Sequence, residues 1–473
     1  MKFIFTFLIG LMLIHFSSRA QLTLNSVYGN PTDCDYIAQG NFVVWWDNQN
    51  DMSQSAQMLL DSIVGIEDDC LNELGMSLPP NVLDGYYCNI YLHTTGDIYD
   101  DGWANGVGTD SNGYPFLTLP IGIENDFVNT CHEVFHLFQY NANSPGFEYA
   151  GDSGWYIEAS ANWYAAIRNP DYDAAFVEAS SLVMNPQIPM WIGYDNMPST
   201  YPENWQRYVH QYAMANFLFF LSEVKNVDRS IISEGFYQNT SLLPQEYLSE
   251  QIGSELYRSY FVDWAARIVN NFDFLTTDQQ NRIWVEWNDY ADPLDEQQWV
   301  GSYSIDGTFG WVEPSFDYVP GPWSFNAYLL ENPVDDQYTF EYLAESQGTE
   351  GTSSHFIAKV VVVEIGNYTY HDVPSASNFQ GSLTIPLSTS ADQVFFIVAS
   401  TPSSFSGSTE LFNYQAQIYR SVTAGVENQL PLSNELVRTY NLLGQEVRPA
   451  GQGLFIDQYE NGQTLFRLIT PKD

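Results

Sequence analysis

The sequence predicts an α+β fold in which a mixed strand and helix region, a mainly helical region and a β-rich region follow one another. Three observations predict it. Strand-like runs, Asn41 to Trp46 and Tyr86 to His93, flank one helical pattern before Asn125; helical periodicity fills Asp126 to about Asn271; and after about Gly301 short apolar runs recur between turn residues.

The segment Met1 to Ala20 reads as a secretory signal peptide. One lysine precedes an apolar run from Phe3 to Phe16, and small residues lead to Ala20, where cleavage is expected. That run is too short for a membrane-spanning helix and no later stretch reaches the length, so a secreted or outer-cell-surface protein with no membrane span is expected. The chain of 473 residues is 45% hydrophobic and 16% aromatic, which suits a globular core, and its formal charge is −43. A field of that sign repels nucleic acid and anionic lipid and excludes both as partners.

Between Gln21 and Asn125, a helical pattern fills Ser53 to Leu74 with Gly75 as its stop, and Tyr114 to Leu119 alternates as a strand. Four cysteines, Cys34, Cys70, Cys88 and Cys131, make an even count in an exported chain and predict two disulfides, with three connectivities open. The acidic loop Asp97 to Asn112 offers Asp100, Asp101 and Asp110 to a Ca²⁺ ion. It lacks the twelve-residue pattern of a dedicated calcium loop, and a solvated loop is the preferred reading.

The helical region carries the chemistry. Cys131 to Tyr140 reads CHEVFHLFQY, with His132, Glu133 and His136 in the pattern His-Glu-x-x-His. Residues four apart share one face of a helix, so both imidazoles can reach one metal ion; Asp126 is the expected N-cap. On the next expected helix, Ser153 to Arg168, Glu158 follows His136 by twenty-two residues, after a Ser144-Pro145-Gly146 turn that lets the chain fold back. Two histidines and a glutamate leave a fourth position for water, as a catalytic Zn²⁺ site requires, with one ion expected per chain. Asn162, one turn beyond Glu158, is placed to hydrogen-bond a ligand histidine from behind. His93, His355 and His371 have no metal-ligand spacing and read as structural.

The motif with Gln139, followed by Trp155-x-x-Glu158-x-x-Ala161-Asn162-Trp163, resembles the gluzincin metallopeptidases. More closely it resembles an uncharacterised secreted bacterial domain family with this helix pair and a C-terminal β domain, a likeness that extends to Tyr212-x-x-x-x-Phe217 and to Pro322-Trp323-Ser324-Phe325-Asn326. The resemblance implies a zincin-like catalytic domain acting on a protein or peptide substrate. In the mechanism it implies, zinc polarises the scissile carbonyl and acidifies its bound water, and Glu133 is the general base that moves the proton to the leaving amine. It also implies an oxyanion donor on the segment Trp205 to Val224. Tyr208 and Tyr212 share a face there, His210 points about 200° away from Tyr208, and Tyr212 is the first choice with His210 second.

The β-rich region, with runs at Ser324 to Leu330, Ala358 to Ile365, Ser382 to Leu387 and Gln393 to Ala399, reads as a β-sandwich. From Asn434 the chain resembles the C-terminal sorting domain that Bacteroidetes use for type IX secretion. The resemblance rests on Tyr440 to Val447, the strand Gly453-Leu454-Phe455-Ile456, the Asn461-Gly462 turn and Lys472. The expected division is a signal at 1–20, a zincin-like catalytic domain at 21–300, a β-sandwich at 301–422 and a sorting module at 423–473, addressed to the type IX machinery. The competing reading is a cell-surface adhesin or glycan-binding protein on an inactive zincin scaffold, with the β domain and the aromatic residues making contact.

Overall fold

The computed structural model describes residues 22–26, 32–93, 106–140, 143–193, 196, 205–290, 311–331, 333–405, 409–421, 436–440, 453–459 and 464–469. The signal segment, Asp100, Asp101, Asn461, Gly462 and Lys472 lie outside them. The chain divides into two compact units, Met1–Ser421 and Val422–Asp473.

The larger unit opens with strands β1 (Cys34–Gln39) and β2 (Phe42–Asp47), helix α1 (Ser53–Asn72), the short α2 (Pro80–Leu83), and strands β3 (Cys88–His93), β4 (Gly106–Thr109) and β5 (Pro115–Pro120). These strands form one sheet in the order β1-β2-β3-β5-β4, parallel where β3 pairs with β2 and β5 and antiparallel at both edges. The apolar sequence FVVWWD explains why β2 is central, since a parallel strand buried on both faces needs no polar alternation. Phe42, Val44, Trp46, Ile90, Leu92, Leu117 and Leu119 join the main core with Leu59, Ile63 and Phe135 of the helical layer, while Val43, Trp45, Tyr91 and Phe116 pack as a separate cluster. Gly75 ends the first helical stretch with φ +66, a conformation that suits glycine.

Helices follow: α3 (Phe127–Gln139), α4 (Gly154–Arg168), α5 (Ser180–Met184), α6 (Trp205–Ala213), α7 (Ala215–Phe219), α8 (Arg229–Glu234), α9 (Pro244–Ile252), α10 (Ser254–Val269) and α11 (Thr277–Tyr290). Asp126 caps α3, its side chain accepting from the backbone N–H of Asn129. Helix α4 is buried nearly all round, with Trp155, Tyr156, Trp163 and Tyr164 inside, and Phe135 of α3 stacks on Tyr164 at 4.9 Å. The periodic stretch Leu248 to Val269 is not one helix, because Gly253 turns to φ +94 and separates α9 from α10. Among the described residues no helix is long and apolar enough to cross a membrane.

Two antiparallel sheets follow, built from β6 (Ser324–Glu331), β7 (Asp336–Ala344), β8 (Phe356–Glu364), β9 (Asn367–Asp372), β10 (Ser375–Ser377), β11 (Gln380–Leu387), β12 (Ala391–Ser400) and β13 (Tyr414–Ser421). Their orders are β10-β11-β7-β13 and β6-β12-β8-β9, and Phe340, Phe356, Val360, Phe396 and Ile418 share one core. The sandwich is fixed to α10. Lys359 of β8, buried, lies 2.6 Å from Asp263 and 2.5 Å from Asp372; burial opposes its charge, but the two carboxylates outweigh burial and raise its pKa. Trp323 stacks on Phe405 at 4.8 Å and meets Tyr257 of α10 at 5.0 Å.

One expectation changes. All four cysteines are free thiols, with Cys70, Cys88 and Cys131 buried inside the sheet and helix layers, so the structure does not contain the expected disulfides. Asp110 Oδ1 closes a turn, accepting from the backbone N–H groups of Asn112 and Tyr114. The smaller unit holds β14 (Leu436–Tyr440), β15 (Gly453–Tyr459) and β16 (Thr464–Ile469) in one antiparallel sheet, β14-β15-β16.

Candidate metal centre

Helices α3 and α4 pack together, and their facing side chains bring three donor groups to one point. One ligand atom each from His132, His136 and Glu158 lie within 4.8 Å of one another. The two Nε2 atoms are 3.1 Å apart, and Glu158 Oε2 lies 3.3 Å from that of His132 and 3.6 Å from that of His136. The i, i+4 spacing on α3 sets the imidazoles one turn apart, and the return of the chain into α4 supplies the carboxylate.

Hydrogen bonds behind the imidazoles fix how they present themselves. His132 Nδ1 lies 2.7 Å from Asn162 Oδ1, and His136 Nδ1 lies 2.6 Å from Gln139 Oε1. The amide of Gln139 is oriented in turn, because its Nε2 donates to Ile157 O at 2.9 Å and to Ser160 Oγ at 2.7 Å, leaving the oxygen for His136. An amide oxygen accepts, so each Nδ1 carries the proton and each Nε2 keeps a free lone pair, the tautomer a metal ligand needs. Asn162 therefore stands against a ring nitrogen of the cluster, and Gln139 plays the matching part for the second imidazole.

Electrostatics follow from burial. Desolvation disfavours the charge of Glu158, but the imidazoles of His136 and His132 more than offset it and hold the carboxyl far below its usual range. For His136, burial opposes protonation and Glu158 outweighs it, raising the pKa. Glu133 is shifted upward, mainly by burial, against the opposing pull of the two imidazoles. Its Oε2 is buried without a hydrogen-bond partner, an arrangement that costs free energy unless something polar occupies the space beside it. A His₂Glu donor set with an unsatisfied carboxylate alongside fits a divalent ion of zinc's preferences and its associated water.

Three tyrosines and a glutamine surround the cluster. The Tyr212 ring stacks on His132, centroids 6.2 Å apart and planes at 28°. Tyr140 meets His136 edge-on at 6.1 Å. Tyr149 stands beside the Glu158 carboxylate, whose charge adds to burial in raising the pKa of its phenol, and the side chain of Gln211 lies close to both Tyr149 and Tyr212. Tyr149, Tyr140 and Gln139 border a cavity of about 320 Å³ shared with Asn143, Ser144 and Phe147. His210 is not brought to the cluster. It is 3% exposed on another side of α6, its Nε2 donating to Pro189 O at 3.3 Å, and burial lowers its pKa to about 4. The side chain of Tyr208 lies outside the described residues. Sequence reasoning missed Tyr149, Tyr140 and Gln211; Tyr149 sits in a loop with no periodicity to single it out.

Among solved structures, the chain is similar to the M60 catalytic domain with the CBM51-1 and CBM51-2 domains from Clostridium perfringens ZmpB, at 8% identity and TM-score 0.26, covering 92% of this chain and 67% of that one. It is also similar to the family GH115 4-O-methyl-α-glucuronidase BtGH115A, with specificity for decorated arabinogalactans, at 8% identity and TM-score 0.15, covering 63% of this chain and 39% of that one. No curated protein matches the chain. The match to the family of unknown function DUF6055 spans residues 38–420, most of the chain, and the protein belongs to that family.

Proposed function

We propose that this chain is a secreted zinc-dependent metallopeptidase that hydrolyses peptide bonds, with His132, His136 and Glu158 as zinc ligands and Glu133 as general base. The observation that carries the reading is the convergence of two imidazole nitrogens and one carboxylate oxygen within 4.8 Å. Zinc held by such a set supplies Lewis acidity, polarising a carbonyl and making water acidic enough to attack near neutral pH. Glu133, beside His132 in the chain and contributing no ligand atom, takes the proton of the attacking water and passes it to the leaving amine. Burial strengthens it as a base at that position. Tyr212, stacked on His132, offers its hydroxyl to the oxyanion that develops on the scissile carbonyl. The cavity beside Tyr140 and Tyr149 gives a side chain of the substrate somewhere to lie. The module at 423–473 serves as the address for type IX export.

The test is metal analysis paired with a broad peptide-library digest. The wild type should carry one zinc per chain, His136→Ala and Glu158→Ala should lose most of it, and Glu133→Gln should keep its zinc while cleavage disappears. Full zinc occupancy in both ligand variants sinks the assignment. A zinc-loaded wild type that cleaves nothing moves the scaffold to the adhesin or glycan-binding reading.

A further inference from the structure

The outer face of one sheet of the sandwich carries an ordered set of polar groups that its core packing does not require. Strand alternation divides β7, β11 and β13: Phe340, Tyr342, Ile385, Ala416 and Ile418 point into the sandwich core, and the residues between them point out. The registers set these outward residues in rows. Ser382 of β11 lies opposite Glu341 of β7, which lies opposite Gln417 of β13, and in the next row Leu343 lies opposite Gln415. The segment before β6 extends the rows by one position, because Val312 and Ala416 exchange backbone hydrogen bonds at 2.9 Å as an antiparallel pair. Glu313 therefore stands beside Gln415, whose Nε2 donates to its Oε1 at 2.6 Å, and alternation sets Trp311 on the same face beside Gln417.

Two properties mark this face as a binding surface. Its polar groups are held in place: one oxygen of Glu341 accepts from the Ser382 hydroxyl at 3.0 Å and the Tyr419 hydroxyl at 3.2 Å, and the other accepts from Gln417 Nε2 at 2.5 Å. The amides of Gln415 and Gln417 each use one N–H in these bonds and keep a second N–H and a carbonyl oxygen, so donors and acceptors are presented at fixed spacing. The face also exposes apolar surface among them. Trp311 is 42% and Leu343 40% exposed, and a hollow of about 380 Å³ opens beside Leu343, Glu345, Asn413 and Gln415. An exposed ring next to fixed amides matches a sugar, whose C–H face lies against the negative face of an aromatic ring and whose hydroxyls both donate and accept. Glu313, Glu341 and Glu345 make the face negative, which repels an anionic chain. A peptide adding as a strand needs an open sheet edge, and Val312 already engages the edge of β13 at Ala416. We propose that this face of the sandwich binds an uncharged carbohydrate chain, with Trp311 as the stacking platform, Gln415, Gln417 and Ser382 as hydrogen-bonding groups, and Glu341 holding them in place. The site shares no residue with the metal centre and does not depend on that centre being catalytic.

Affinity electrophoresis of the purified full chain tests this, in native gels cast with an uncharged galactan, mannan, xylan or β-glucan, with polygalacturonate, with gelatin, or with nothing added. The wild type should be retarded by at least one of the uncharged polysaccharides. Trp311→Ala should weaken that retardation roughly 10-fold or more, the usual cost of losing a central aromatic contact, and Gln417→Ala should weaken it with the ring still in place. Tyr368→Ala, which removes a 41% exposed ring from β9 on the other sheet, should keep the wild-type value, and thermal unfolding of all three variants should match the wild type. Retardation by none of the uncharged polysaccharides overturns the proposal, as does wild-type retardation in both Trp311→Ala and Gln417→Ala or equal weakening in Tyr368→Ala. Retardation by polygalacturonate alone makes the occupant a polyanion, retardation by gelatin alone makes it a peptide, and either result overturns the proposal as well.

Discussion

Acid should loosen this fold through one buried histidine. His210 sits on α6, 3% exposed, in a space lined by Leu182, Met190, Met214, Phe261, Trp264 and Trp323 together with Asn185 and Ser324, and among the described residues its side-chain hydrogen bond is to Pro189 O. Burial lowers its pKa from 6.5 to about 4, with the Pro189 carbonyl opposing only in part. The unfolded chain keeps the ordinary value and takes up the proton first. Stability from the neutral ring is therefore whole above about pH 6.5, declines as pH falls, and is gone below about pH 4. The difference between the two values corresponds to about 3 kcal/mol, a large share of the net stability of a typical domain. Urea unfolding of metal-stripped wild type and His210→Gln, followed by circular dichroism from neutral pH down to about pH 4, reads the difference directly. The wild type should lose about 3 kcal/mol more than the variant across that window. Parallel pH profiles would refute the reasoning, because they would mean that the imidazolium is accommodated without desolvation.

Tyr212→Phe should bind zinc normally and lose roughly 10² to 10³ in turnover, the usual cost of one oxyanion donor, as steady-state kinetics would show. Gly146→Ala should destabilise the protein by about 1–3 kcal/mol or more in thermal unfolding, because its Cβ meets the Leu242 backbone rather than a side chain that can move. Removal of residues 434–473 should leave folding and metal binding intact but stop export, and truncated protein recovered from the culture medium would refute the sorting role.

Helices α3 and α4 were legible because their information is local. A four-residue spacing fixes the faces of His132 and His136, Asp126 announces the start of α3, and a turn-rich stretch before α4 lets Glu158 come back to them. Helical geometry also warned that Tyr212 and His210 answer to different surroundings. Other features depend on distant partners. The loop that carries Tyr149 is held through Ser144, Gly146 and Phe147 by Gly235, Leu242 and Phe236, all far along the chain, and no spacing rule reaches that far. The break at Gly253 was hidden because apolar periodicity continues on both sides of it. The cysteines misled because an even count says nothing of where the side chains lie, and here two sit on strands and two on helices as free thiols.

The contact of the sandwich with α10 bears on how this protein comes apart. Asp263 is shared between Lys225 of the helical region and Lys359 of the sandwich, and Tyr257, Phe261 and Trp323 interleave beside it. Peeling the strands away would strip an ion pair of its partner and turn aromatic rings to water at the same time. Helices and sandwich should therefore unfold together, so that proteolysis at the seam or a core lesion in the strands lowers the stability of α3 and α4 as well.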